Sequence, residues 1–110
     1  MIKKRQMENN RTTESECTED GEIRTYRTFN EKGELHSFNN NPAVHRITYT
    51  WGDRYNDIDV DATWYSNGTK TAYASLSIDE RYGEETVDEF SGDFNGEDKS
   101  IMIQKACEYN

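Results

Sequence analysis

Between Asp57 and Ile78, apolar and polar residues alternate with period two on both sides of Asn67-Gly68, the pattern of a β-hairpin buried on one face. Ile58, Val60, Ala62 and Trp64 fall on one face of the first strand, and Asp57, Asp59, Asp61, Thr63 and Tyr65 on the other. Past the turn, Ala72, Ala74, Leu76 and Ile78 alternate with Thr71, Tyr73, Ser75 and Ser77. A two-residue Asn-Gly loop is the usual connection, but an unbroken ladder from it sets Asp59 against Leu76 and mixes acids into the apolar face. A three-residue loop, Ser66-Asn67-Gly68, with Gly68 left-handed as a bulge, pairs Ile58 with Leu76, Val60 with Ala74 and Ala62 with Ala72. The second register is expected, because it keeps one face apolar.

The same alternation runs through residues 43–51, where Ala43, His45, Ile47, Tyr49 and Trp51 share a face. Gly52-Asp53 reads as a two-residue turn, which would pair Ile47 with Ile58, His45 with Val60 and Arg46 with Asp59. Strands 43–51, 54–66 and 69–78 then form an antiparallel meander. Upstream, residues 22–30 are rich in β-formers and Glu31-Lys32-Gly33 is a turn. Residues 34–38 would return as the partner strand, with Phe29 near Leu35 and Tyr26 near Phe38. Residues 1–21 have no periodicity and almost nothing apolar, and read as a disordered segment ahead of a single domain, 22–110. Gly83, Gly92 and Gly96 punctuate residues 79–98, a long loop with a short strand at 86–90. Residues 97–109 read as a helix, with Glu97 and Asp98 in its first turn and Met102, Ala106 and Tyr109 at helical spacing. A strand at 100–104 is the competing reading. The fold class is therefore α+β, mainly β: an antiparallel sheet of about five strands with one C-terminal helix.

Composition narrows the function classes. The chain has 110 residues, 32% of them hydrophobic and 32% charged, with seven Tyr, four Phe and two Trp. That supports one domain with a modest core in which aromatics supply much of the buried area. The net charge of −9 argues against direct nucleic-acid binding, which needs clustered Lys and Arg, and favours a partner with a basic surface. Residues 79–98 hold nine acids against Arg81, which accounts for −8 of that charge. No apolar run is long enough to span a membrane and none marks a signal peptide, so a cytoplasmic location and no membrane partner are expected. Cys17 and Cys107 are read as free thiols in that compartment.

Asp57, Asp59 and Asp61 form a D-x-D-x-D string that superficially suggests Ca²⁺. An EF-hand loop would need Gly at its sixth position and Glu at its twelfth, where Ala62 and Gly68 stand. On a strand the three carboxylates lie about 6.6–6.8 Å apart, which suits a polar face or a charge stripe better than one ion. His36 and His45 lack Cys or His neighbours at zinc-ligand spacing, and His45 reads as packed rather than as a general base. No nucleophile-elbow or paired-acid motif stands out. No cofactor and no enzyme activity are expected. Phe90 and Phe94 lie within the acidic run, as anchors ringed by acids or as pins of that loop to the sheet.

Gly33-Glu34-Leu35-His36, then Pro42-Ala43-Val44, then Trp64-Tyr65-Ser66-Asn67-Gly68-Thr69-Lys70 resemble fragments of the MORN-like repeats of small bacterial and phage proteins. Those repeats carry W-Y-x-N-G and H-x-x-x-G-P-A elements. Thr71 stands where a second His would fall, and Asn41 where a Gly would precede Pro42. The resemblance covers residues 26–74, implies β-hairpin units and interaction rather than catalysis, and identifies no site.

The leading expectation is a small acidic protein-binding module. In its sharpest form it is an inhibitor or antitoxin-like protein, phage-encoded and nucleic-acid-mimicking, that occupies the basic surface of a nucleic-acid-binding protein or nuclease. Its candidate contact residues are Asp57, Asp59, Asp61, Glu84, Glu85, Asp88, Glu89, Phe90, Asp93 and Phe94. The alternative is an enzyme or small-ligand domain whose site converges only in three dimensions.

Overall fold

The computed structural model describes the backbone of residues 2–8 and residues 10–52 and 54–108 in full. Among the described residues, seven strands form one antiparallel meander in sequence order: β1 (Ile2–Glu8), β2 (Arg11–Cys17), β3 (Gly21–Thr28), β4 (Val44–Thr50), β5 (Asp57–Ser66), β6 (Thr69–Asp79) and β7 (Glu84–Gly92). One helix, α1 (Gly96–Ala106), follows. It covers a single face of the sheet, so the molecule is a slab of 42 × 33 × 17 Å.

The buried face is the apolar face of the sequence pattern. Ile47, Val60, Ala62, Trp64, Ala72, Ala74 and Leu76 are buried beneath Met102 and Ala106 of α1. The helix starts where Asn95 Oδ1 accepts the Asp98 N–H at 2.8 Å, an N-cap that satisfies one orphan donor. Glu97 and Asp98 in the first turn and Lys105 in the last complement its dipole. The helical reading of this segment therefore holds over Gly96–Ala106, while Tyr109 lies outside the described residues.

The hairpin keeps its faces but not the expected register. Asn67 and Gly68 both have positive φ, 47° and 85°, and close a two-residue loop that pairs Ser66 with Thr69 and Tyr65 with Lys70. Thr71 is then left unpaired as a bulge, so Trp64 meets Ala72, Ala62 meets Ala74, Val60 meets Leu76 and Ile58 meets Ile78. Asp59 faces Ser77, not Leu76. The requirement of an apolar face is met, by a tight turn plus a bulge two residues later rather than by a three-residue loop.

The turn expected at Gly52-Asp53 is replaced by a longer connection, residues 51–56, between β4 and β5; Asp53 itself lies outside the described residues. The register moves by two, pairing Ile47 with Val60, His45 with Ala62 and Arg46 with Asp61, and an even shift preserves both faces. Residues 34–38 do not form a strand. Phe29 and Leu35 meet in a single bridge, and β3 pairs with β4 instead, Tyr26 opposite His45. The loop 29–43 folds over the β5–β6 turn: the Gly68 N–H donates to the Leu35 carbonyl, the Ser37 N–H to the Tyr65 carbonyl, and the Asn67 N–H to His36 Nδ1 at 3.0 Å.

Residues 2–8 and 11–17 are strands, not a disordered lead-in. Their order comes from the backbone ladder and from polar contacts: Arg11 lies over the Tyr26 ring at 4.3 Å and the Ser15 hydroxyl donates to Glu22 at 2.9 Å. The strand expected at 86–90 runs from Glu84 to Gly92, so the acidic segment is an edge strand rather than a long loop. Exposed acids along such an edge oppose pairing with another sheet.

Candidate functional site

With α1 on one side, the opposite sheet face is uncovered, and cross-strand register places its residues in rows. One row runs Glu14, Thr25, Arg46, Asp61, Ser75, Glu89, and the next Glu16, Ile23, Thr48, Asp59, Ser77, Thr86. Asp57, Asp79 and Glu84 share a third. Asp88, the bulged residue of β7, joins this face, since the Ser77 hydroxyl donates to it at 2.6 Å. Arg27, Arg46 and Lys70 are the cations that the register of β2 to β7 puts among these acids, the Lys70 ammonium lying over the Tyr73 ring at 5.2 Å. Rows on adjacent strands stand about 4.8 Å apart and same-face neighbours along a strand about 6.7 Å, so the charges form a grid rather than a pocket.

The candidate contact residues divide between surfaces. Asp57, Asp59, Asp61, Glu84, Asp88 and Glu89 converge on the open face. Glu85 does not: it pairs with Ile78 on the helix side and bonds the Cys107 thiol. Burial and that carboxylate push the thiol up to about 12, which keeps it protonated. Phe90 also lies on the helix side, 6.3 Å from the Trp64 ring and beneath the Lys99 ammonium at 5.0 Å. It pins β7 to the core and is no anchor for a partner on the acidic face. Asp93 and Phe94 sit between β7 and α1, both exposed.

Within the open face, Asp61 accepts the Tyr73 hydroxyl at 2.7 Å, a bond that holds the phenol above its usual range. Asp59 and Asp57 are exposed. Among the described residues, no group of three or more His, Cys, Asp or Glu is placed to hold a metal ion.

His45 is buried, at 4% exposure, with Nε2 2.6 Å from the Ala106 carbonyl. A carbonyl only accepts, so Nε2 carries the proton, and the imidazole ties the end of α1 to the sheet. Burial lowers its basicity, with the Arg11 charge adding to the effect. That is a structural role.

Trp51, expected on the apolar face of residues 43–51, lies past the end of β4 and is exposed, and with Tyr55 and Tyr82, upstream of Phe90 in the acidic run, it forms a set of open aromatics at one end of the sheet. Their signal was single aromatics beside Arg54 and Arg81 in loops, which spacing cannot bring together. Among the described residues no helix is long and apolar enough to cross a membrane. Comparison of the chain with protein families, with curated proteins and with solved structures finds no match.

Proposed function

We propose that this chain is a small protein-binding module whose open sheet face occupies a basic surface of a target protein. One observation carries the reading: the uncovered face bears Asp57, Asp59, Asp61, Glu84, Asp88 and Glu89 on neighbouring strands, in a chain of net charge −9. Such a grid complements a groove built to hold phosphates, so the sharper form is an inhibitor or antitoxin-like protein, of the kind phages encode, that competes with nucleic acid for its target. Catalysis is no part of this reading. Individual exposed charge pairs contribute about 0–1 kcal/mol, so affinity comes from several together and association is fast and salt-sensitive.

The test compares two charge reversals of equal size, read by binding to a lysine-rich peptide at low and high salt. Asp59→Lys with Glu89→Lys alters the open face, where both residues are exposed. Glu31→Lys with Glu97→Lys alters a loop and the helix start. Glu14 and Glu16 cannot serve as the control, because β2 carries them on the open face. The reading requires the first pair to weaken binding roughly tenfold, about 1.4 kcal/mol, and the second to leave it nearly unchanged. Equal loss from both would reduce the effect to net charge, and no loss from either would leave the face merely solvated.

A further inference from the structure

At the Asp57 end of the open face, residues 54–57 and the β6–β7 turn border a cleft of about 620 Å³ whose charged and aromatic lining is Arg54, Tyr55, Asp57, Asp79, Arg81 and Glu84, with Tyr82 flanking Arg81 at its edge. Its walls are tied together, since the Asn56 N–H donates to the Glu80 carboxylate at 3.2 Å and the Gly83 N–H to the Asp79 carbonyl at 2.7 Å. The chain's own Arg81 shows what the cleft accepts. Its guanidinium carbon lies 4.4 Å from the Tyr82 ring centroid and 5.6 Å from that of Tyr55, and its Nη2 is 3.5 Å from Asp79 Oδ2. Both ring distances fall within cation–π range. Yet Arg81 is held loosely, with nearly half its side chain exposed (48%), and the rings are open too, Tyr55 at 51% and Tyr82 at 66%.

We infer that this cleft is a guanidinium site: it takes an arginine side chain of the basic partner, in the place or beside the place that Arg81 occupies in the free protein. The inference rests on the protein-binding reading above and adds the residue type that the partner presents. A planar guanidinium stacks on tyrosine faces and forks onto carboxylates, which a compact ammonium does not do. Asp57 and Glu84 supply carboxylates beyond Asp79, and Asp57 joins the cleft to the acidic rows. Aromatic residues at the end of an acidic surface are also the composition of an interface anchor.

The test uses oligo-arginine and oligo-lysine peptides of equal length, with binding read by calorimetry. The parent protein should bind the arginine peptide several-fold more tightly. Tyr55→Ala with Tyr82→Ala removes exposed side chains, so the fold should persist by circular dichroism. This variant should bind both peptides alike while its affinity for the lysine peptide stays at the parent's value. Arg81→Ala, which vacates the cleft, should tighten arginine binding. Equal binding of the two peptides by the parent, an arginine preference that survives loss of both tyrosines, or weaker arginine binding by Arg81→Ala would each overturn the guanidinium site and leave the acidic face standing. Failure of the parent to bind either peptide would overturn both.

Discussion

Trp64 is the residue whose loss tests the whole arrangement of sheet, helix and loop. It is 2% exposed, stands opposite Ala72, and packs against Phe90 at 6.3 Å between ring centroids. Its indole N–H donates to the Asn40 carbonyl at 2.9 Å, where Asn39 and Asn40 hold positive φ of 54° and 64°. Trp64→Ala removes the largest side chain of the core and leaves a cavity beside small neighbours, Ala72 and Ala62, that cannot expand to fill it. Such truncations cost about 3–5 kcal/mol, a large fraction of the roughly 5–15 kcal/mol that stabilises a domain. With a urea slope of about 2 kcal/mol/M, a loss of 4 kcal/mol moves the unfolding midpoint down by roughly 2 M. Trp64→Phe keeps a ring in the core and removes the indole donor, and because Asn40 is exposed and its carbonyl can turn to water, the loss is the net value of one hydrogen bond, about 0.5–1.5 kcal/mol. Urea titration followed by far-UV circular dichroism separates the two variants, with Trp51 left as a fluorescence reporter. A Trp64→Ala protein with the parent's midpoint would refute the assignment of Trp64 to the core. Equal loss from both variants would trace the effect to the hydrogen bond rather than to ring burial.

Gly68→Ala should destabilise by roughly 1 kcal/mol, because φ is +85° there; a Cβ would meet Glu34 only at ordinary contact distance, 3.5 Å, so an unchanged midpoint would contradict the left-handed turn. Gly21→Ala should cost about 1–3 kcal/mol, since its Cβ would fall 1.8 Å from the Tyr49 carbonyl oxygen and force β3 away from β4. His45 is less basic folded than unfolded, so the unfolded chain binds more protons and stability falls as pH drops below the ordinary value of 6.5. His45→Gln should flatten the part of that slope lying above the carboxylate range, read from urea midpoints across pH. Cys107, held up to about 12, should resist alkylation near pH 8 in the native protein and react once unfolded, as peptide mass spectrometry would show.

The faces of this protein were legible in its sequence, and its registers were not. Alternation along residues 43–51 and 57–78 placed Ile47, Ile58, Val60, Trp64 and Leu76 inside and the three aspartates outside, as found, whereas Trp51, expected on the same face, is exposed past the end of β4. Period two states which side a residue takes but is blind to even slips. The bulge at Thr71 and the long 51–56 connection therefore had to come from the folded chain. The helix was readable from acids at its start and from Met102 and Ala106 at helical spacing. Strands β1 and β2 were not readable, because β1 is held by a backbone ladder to β2, and β2 by a ladder and polar contacts to β3, that no apolar pattern records. In the acidic segment, composition announced the charge, yet only the bulge at Asp88 and the pairing with β6 decided its sides. Asp88 and Glu89 reached the open face, while Glu85 and Phe90 turned to the helix. The cleft lined by Tyr55 and Arg81 belongs wholly to tertiary structure: two residues 26 positions apart meet because antiparallel neighbours bring alternate connections to the same end of a sheet.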